Sequence, residues 1–338
     1  MKVSIFGSGA WGTAIALLLS DNGHNVTLWS KFPNEGAIIS ETRENPLLKG
    51  VTIPEDIYIT SDIEEATIGI GAAVIAVPSF AVREISEELA GWIDDSCDVI
   101  CMSKGIEKDS SSLFTGILKE TLGGHVPIAS VSGPTHAEEV ARRLPTACVA
   151  ASEDIEVAER VQSLLMNVNF RVYTSTDVVG VELGAALKNV IALAAGICDG
   201  LGLGDNTAAT LITRGLSEMA SLAVAMGGRK ETLAGLAGLG DLIVTCNSQH
   251  SRNRRAGVLI GRGRSTEDAI KEVGAVVEGY YAAKAAKKLA EEIAVDMPIC
   301  NEVYCVLFEN KDPVEAMRDL MSRQRKSEDG TGEERWVI

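Results

Sequence analysis

Aromatic side chains are scarce in this sequence. Phe, Trp and Tyr make up 4% of 338 residues, against 46% for hydrophobic residues as a whole. The core must therefore be mainly aliphatic, with small residues setting close packing. Basic residues are in deficit too: 31 Lys and Arg face 47 Asp and Glu, a net charge of −16 at pH 7. That balance argues against a nucleic-acid partner and against an anionic membrane surface, both of which need a basic face. An anionic substrate would require a local cationic pocket inside a repelling envelope. The four histidines, His24, His125, His136 and His250, show no H-E-x-x-H or Cys/His spacing, so no metal is expected. Seven scattered cysteines form no C-x-x-C pair, and their odd number reads as reduced thiols in the cytoplasm. No run approaches the roughly 20 apolar residues that span a bilayer, so no membrane insertion is expected. Lys2 and the apolar residues up to Leu19 mimic a signal peptide, but three glycines interrupt them and no A-x-A site follows.

At roughly 100–200 residues per domain, the length suggests two domains. In the first half, short β-branched strands alternate with helical stretches. Residues 2–6, 25–29, 58–60, 72–77, 98–102, 127–131, 146–151 and 170–174 read as strands. Residues 10–21, 81–92, 110–122 and 154–165 carry helical spacing. Near-continuous apolar strands in such an alternation predict an α/β domain, a mostly parallel sheet covered on both faces. After about Asp177 the strands stop. Residues 178–200, 207–227, 265–273, 279–294 and 299–309 read as helix, and Asp312-Pro313-Val314-Glu315 starts another. The expected organisation is a dinucleotide-binding domain over 1–178, an all-α domain over 179–321, and a polar, partly disordered tail over 322–338.

Gly7-Ser8-Gly9-Ala10-Trp11-Gly12 fits G-x-G-x-x-G, directly after a strand and opening a helix. Gly7 would permit the tight turn, Gly9 the approach of a pyrophosphate, and Gly12 close packing of helix on strand. The helix N-terminus would supply N–H donors and partial positive charge. At the end of the second strand an NAD-specific site usually has Asp or Glu for the ribose 2′-OH. Here Leu28-Trp29-Ser30-Lys31 has none, and Lys31 can pair with a 2′-phosphate. NADP(H) should be accepted, alongside or instead of NAD(H). The blander reading of Lys31 is a solvated loop lysine.

Four further segments place polar residues in apolar, glycine-rich surroundings. Ser103-Lys104-Gly105 closes a strand, at the ligand edge of an open α/β sheet. Ser132-Gly133-Pro134-Thr135-His136-Ala137-Glu138 follows another strand, with Thr135 and Glu138 spaced as a capping box. Lys188-Asn189 interrupts a long apolar helix, which is costly unless the pair faces a wet, functional cavity or the lysine snorkels out. Asp241 lies in a glycine-rich turn, and Arg252, Arg254 and Arg255 concentrate positive charge on an acidic chain. Arg suits bidentate phosphate binding, although a solvated basic face is the alternative. Together these residues suit hydride transfer to the carbonyl of a phosphorylated substrate. Lys188 would give or take the proton, its pKa lowered by the second cation, Lys104. Asp241 and Asn189 could orient Lys188 or the substrate, and Arg252 would hold the phosphate.

At these residues the chain resembles bacterial-type NAD(P)-dependent glycerol-3-phosphate dehydrogenases over about residues 1–320. The likeness rests on GSGAWGTA, SKGIE, SGPTHAEEVA, ELGAALKNVIALAAG, GLAGLGDLIVTC, SRNRRAG and VVEGYYAAK, in that order. It implies interconversion of sn-glycerol 3-phosphate and dihydroxyacetone phosphate for phospholipid synthesis, usually by a homodimer. It implies that Lys188 accepts the proton in the oxidative direction. It implies substrate contacts at Lys104, Gly133, Thr135, Asp241, Ser251, Arg252 and Asn253. Ala10, Trp11, Lys31, Lys104, Ala137, Arg252, Val276 and Glu278 would meet the cofactor. Family members often carry Ser or Thr at the position of Ala10, so one hydrogen bond to the cofactor is missing here. Two other readings stay open: a different hydroxy-acid or phosphorylated-substrate dehydrogenase on this scaffold, and a non-catalytic nucleotide-sensing module.

Overall fold

The computed structural model describes residues 1–108, 110–325, 327 and 328. Eight strands are β1 (Lys2–Phe6), β2 (Asn25–Trp29), β3 (Tyr58–Thr60), β4 (Ala72–Ile75), β5 (Asp98–Cys101), β6 (Ile128–Ser132), β7 (Thr146–Ala151) and β8 (Phe170–Ser175). Between them lie α1 (Ala10–Asp21), α2 (Pro33–Thr42), α3 (Ile63–Thr67), α4 (Val82–Leu89), α5 (Phe114–Leu122), α6 (Ala137–Ala141) and α7 (Ile155–Leu165). The helical part follows with α8 (Val178–Leu201), α9 (Gly204–Ala225), α10 (Lys230–Leu233), α11 (Asp241–Asn247) and α12 (Arg252–Gly261). It ends with α13 (Thr266–Val273), α14 (Glu278–Ile293), α15 (Pro298–Phe308) and α16 (Pro313–Met321).

Among the described residues the strands form one sheet in the order β3-β2-β1-β4-β5-β6-β7-β8. The first six run parallel. As their apolar sequences require, both faces are covered. Val3, Ile5, Leu28, Val74 and Ile100 belong to one buried cluster; Phe6, Ala73, Ile75, Val99 and Cys101 belong to the opposite one. The chain order reverses between β1 and β4, which opens a crevice at their carboxyl ends. β7 pairs antiparallel to β6, and β8 runs parallel to β7. The helix between β6 and β7 has only five residues, too short to return the chain to the far edge, so β7 starts from the ligand edge.

That reversal aims α8. β8 ends far from the ligand edge, where Asp177 caps α8 by accepting from Gly180 N at 2.9 Å. Lys188 is the eleventh residue of α8, which carries it about 15 Å back toward the ligand edge. Helix α8 is long and apolar enough to cross a bilayer, which corrects the expectation that no run approaches that length. Its apolar window is 89% buried inside the protein, in the core formed with α9, α11, α12 and α14. Gly196 and Gly257 bring α8 and α12 together. A Cβ on Gly257 would stand 2.1 Å from Leu193 O, and one on Gly196 would stand 2.1 Å from Arg254 O.

The disorder expected over 322–338 falls largely on 326 and 329–338, outside the described residues. Within the described part, Arg323 pairs with Asp296 at 2.7 Å and Glu328 with Arg214 at 3.4 Å.

Candidate active site

The dinucleotide end is built as the glycine spacing requires. Gly7 adopts φ +122°, and a Cβ there would stand 2.6 Å from Ala76 O. A Cβ on Gly12 would stand 1.9 Å from Gly7 O, so helix and strand close only without one. Gly9, by contrast, has open space beside it, and no side chain caps α1. The turn therefore presents backbone N–H groups around Ala10 and Trp11 to an unobstructed face. Half-buried Trp11 keeps an unpartnered, buried Nε1 nearby.

Lys31 is not a free cation. It pairs with Glu84 at 3.1 Å and Glu88 at 2.9 Å from α4, and Glu88 first, then Glu84, raises its pKa. The strand-end residues carry no carboxylate, but the fold brings two to that position.

The second cluster lies where β5 and β6 end against α8 and α11. Lys188 Nζ donates to Asp241 Oδ1 at 2.5 Å and to Thr245 Oγ1 at 3.1 Å. Lys104 Nζ donates to Asp241 Oδ2 at 2.9 Å, Gly133 O at 2.9 Å and Thr135 Oγ1 at 3.2 Å. One carboxylate thus holds two ammonium groups. The side chains of Lys188 and Asp241 are only 8% and 2% exposed, so their charges act with little screening. Burial pushes the Lys188 pKa down to about 7; Asp241 opposes that shift and Lys104 reinforces it. Burial alone would raise the Asp241 pKa, but Lys104 and Lys188 outweigh it and hold the carboxyl low. Lys188 does not snorkel.

Several expectations need correction. Thr135 caps nothing: the N-cap of α6 is His136, and the Thr135 hydroxyl donates to Gly133 O at 3.1 Å while accepting from Lys104. Gly133 takes φ +154°, with Cys148 Cα 2.8 Å from where its Cβ would be. Asn189 does not orient Lys188. Its side chain donates to Ala185 O at 3.4 Å and accepts from Asn253 Nδ2 at 2.9 Å. Asn253 Oδ1 in turn accepts from Gly279 N at 2.8 Å, so this buried pair ties α8 to α12 and α14. Asp241 sits not in an open turn but as the first residue of α11, after a π-helical turn over Leu236–Gly240.

The three arginines part company. Arg254 pairs with Asp199 at 2.6 Å, and Arg255 points outward. Arg252, at the first position of α12, is exposed without a hydrogen bond or ion pair among the described residues. Ser251 Oγ caps that helix, accepting from Arg254 N at 3.2 Å. The charge of Arg252 reaches Glu278, whose pKa burial raises. Glu278 Oε1 accepts from Ser79 N at 3.2 Å, while Oε2 is buried without a partner. Half-buried Val276 precedes it, and half-buried Ala137 opens α6. Gly105, beside Lys104, packs on Ser79, so both clusters share one edge. Sequence reading missed Thr245. It stands one turn beyond Asp241 on α11, and its hydroxyl donates to Asp241 O at 2.6 Å. Among the described residues no three His, Cys, Asp or Glu side chains converge as a metal site would need.

A family model described as the N-terminus of NAD-dependent glycerol-3-phosphate dehydrogenase matches residues 2–158, and one for its C-terminus matches residues 177–318. The chain belongs to the NAD-dependent glycerol-3-phosphate dehydrogenase family. A glycerol-3-phosphate dehydrogenase of the NAD(P)+ type from Thermoanaerobacter sp. (strain X514) is 52% identical, over 97% of this chain and 99% of that one. Its Fusobacterium nucleatum counterpart is 50% identical, over 97% and 98%. The crystal structure of glycerol-3-phosphate dehydrogenase from Coxiella burnetii superposes with a TM-score of 0.92 at 39% identity, covering 95% of this chain and 99% of that chain. As the family requires, the glycine turn, the open face at Gly9 and the orphaned atoms of Trp11 and Glu278 fit a nicotinamide dinucleotide laid across the crevice.

Proposed function

We propose that Lys188, Asp241 and Lys104 form the reacting centre of a glycerol-3-phosphate dehydrogenase. It interconverts sn-glycerol 3-phosphate and dihydroxyacetone phosphate, supplying glycerol 3-phosphate for phospholipid synthesis. One observation carries the reading: a buried lysine bonded to a buried aspartate at the ligand edge of the sheet. When bound, the nicotinamide takes up or supplies the hydride. In the oxidative direction the neutral Lys188 amine removes the proton of the C2 hydroxyl; in the reductive direction its ammonium returns it to the carbonyl oxygen. Asp241 fixes Nζ, and Lys104 places a second positive charge beside the oxygen where negative charge develops. Thr135 and Gly133 hold Lys104 in place. Arg252 grips the phosphate, helped by the Ser251 hydroxyl proton, which capping leaves unused. Asn253 serves by holding α12 against α14.

For the cofactor, Gly7, Gly9 and Gly12 with the N–H groups of Ala10 and Trp11 would receive the pyrophosphate. Ala137, Val276, Glu278, Lys104 and Arg252 would border the nicotinamide end, and Lys31 the adenosine ribose. The acidic chain and its seven free cysteines support a cytoplasmic enzyme without a nucleic-acid partner. An apolar groove of about 730 Å³, lined by residues including Leu211, Val303 and Leu320, offers a face for a homodimer.

The test is a nicotinamide-absorbance assay with dihydroxyacetone phosphate, unphosphorylated dihydroxyacetone and a 2-keto acid, each with NADH and NADPH. Turnover strongly favouring the phosphorylated triose, with only weak turnover of dihydroxyacetone, is expected; equal turnover of the keto acid would overturn the reading. Because Lys188 titrates near 7, oxidative kcat/KM should rise with pH through about 7, and reductive kcat/KM should fall above it. A flat profile between pH 6 and 9 would remove Lys188 from proton transfer.

Cofactor choice has its own check. Glu84 and Glu88 neutralise Lys31, so the double change Glu84→Gln, Glu88→Gln should release it toward a 2′-phosphate. The NADPH to NADH preference should rise about threefold at low salt, since exposed charge pairs are weak and screened. An unchanged ratio would place the 2′-phosphate away from Lys31.

A further inference from the structure

Next to the loop that wraps Lys104 stands an imidazole with an unspent nitrogen. His136 directly follows Thr135, and its side chain caps no N–H of α6. Its Nε2 is shut off from solvent and has no hydrogen-bond partner. Buried polar atoms are seldom left so in native proteins, because an unmade bond costs more than a made one contributes. In the wall of a substrate site, such an atom is accounted for by a polar group on the ligand.

Where the ring sits narrows which group. The loop from Gly133 to His136 runs alongside α11. At one end, Pro134 Cδ lies 3.7 Å from where a Cβ on Gly240 would stand. At the other, the His136 ring centroid is 6.1 Å from that of His250, three residues beyond α11. Between those ends α11 carries Asp241 and Thr245, both bonded to Lys188. Lys188, Asp241, Glu138 and Glu139 all act electrostatically on the imidazole. Burial first, then the Lys188 charge, lower its pKa, so the ring is neutral at pH 7 and Nε2 can donate or accept.

We propose that His136 Nε2 hydrogen-bonds the terminal hydroxyl of the triose phosphate, on the carbon across the reacting centre from the phosphate, making His136 a specificity residue. This rests on the function proposed above and extends it. Arg252 takes the phosphate, and Lys188 with Lys104 takes the reacting oxygen. The terminal hydroxyl is the polar group left over, and Nε2 is an unpartnered buried nitrogen on the loop that runs along α11, the helix carrying Asp241 and Thr245. A site that keeps a polar atom for one hydroxyl rejects analogues lacking that hydroxyl.

The test compares dihydroxyacetone phosphate with acetol phosphate, in which hydrogen replaces the terminal hydroxyl. The wild-type enzyme should prefer dihydroxyacetone phosphate at least about tenfold in kcat/KM. His136→Phe should keep acetol phosphate turnover within about threefold and lose that preference, while His136→Gln, which retains hydrogen-bonding atoms, should recover part of it. A merely structural role would depress both substrates alike. Equal losses on both, or an unchanged preference in His136→Phe, overturn the proposal while leaving the dehydrogenase reading intact. Wild-type enzyme that reduces neither triose phosphate refutes that underlying reading, and the proposal with it.

Discussion

Lys188→Ala should lower turnover in both directions by about 10³–10⁴-fold, the upper range for loss of a positioned acid–base group. Cofactor affinity and folding should change little. The argument for intact folding is electrostatic. Asp241 is buried, and stripping it of both its cations would leave an uncompensated charge costing about 3–5 kcal/mol. Lys104 remains at 2.9 Å, so Asp241 keeps a partner. Lys188→Met, which retains most of the side-chain volume, should behave the same and exclude cavity formation as the cause. Asp241→Asn makes a sharper companion. Asp241 is the group that raises the Lys188 pKa against burial, so neutralising it should move the reductive pH limb below about 7. Steady-state kinetics in both directions, with NADPH binding followed by fluorescence, measure all of this. Unchanged turnover in Lys188→Ala would end the proposed mechanism.

Lys188 was legible because of its setting. A lysine between Ala185-Ala186-Leu187 and Val190-Ile191 is costly unless it faces a wet cavity or snorkels out, and its burial against Asp241 decides for the cavity. The sheet was legible for a similar reason: uninterrupted apolar strands mean two covered faces. The neighbour Asn189 was not legible. Adjacent helical residues point about 100° apart, and only the packing of α12 and α14 decides that Asn189 faces Asn253 rather than the site. Thr135 misled because its spacing to Glu138 matches a capping box, while tertiary context supplied a stronger partner in Lys104. The partners of Lys31 were not legible, because Glu84 and Glu88 lie more than 50 residues away in sequence and meet it only in the fold. Helix α8 shows the limit of composition: the same apolar length would suit a membrane, and only its burial assigns it to a core.

Arg252→Ala should raise KM for dihydroxyacetone phosphate by well over tenfold with a smaller change in kcat. A charge-assisted bond contributes about 1.5–3 kcal/mol, and about 1.4 kcal/mol is tenfold. The structure makes this variant unusually readable. Arg254 anchors Asp199, so its loss would disturb packing, whereas the exposed guanidinium of Arg252 makes no hydrogen bond or ion pair among the described residues. Any change in Arg252→Ala therefore reports on ligand. Arg252→Lys keeps the charge but not the two-pronged geometry and should fall between wild type and alanine. The control is unphosphorylated dihydroxyacetone: if Arg252 serves the phosphate, its removal leaves the weak turnover of that compound nearly untouched. A KM within twofold of wild type would place the phosphate elsewhere. Lys104 and Lys188 are both held on Asp241, whereas Arg252 has no ion pair among the described residues and is the site cation free to meet a dianion.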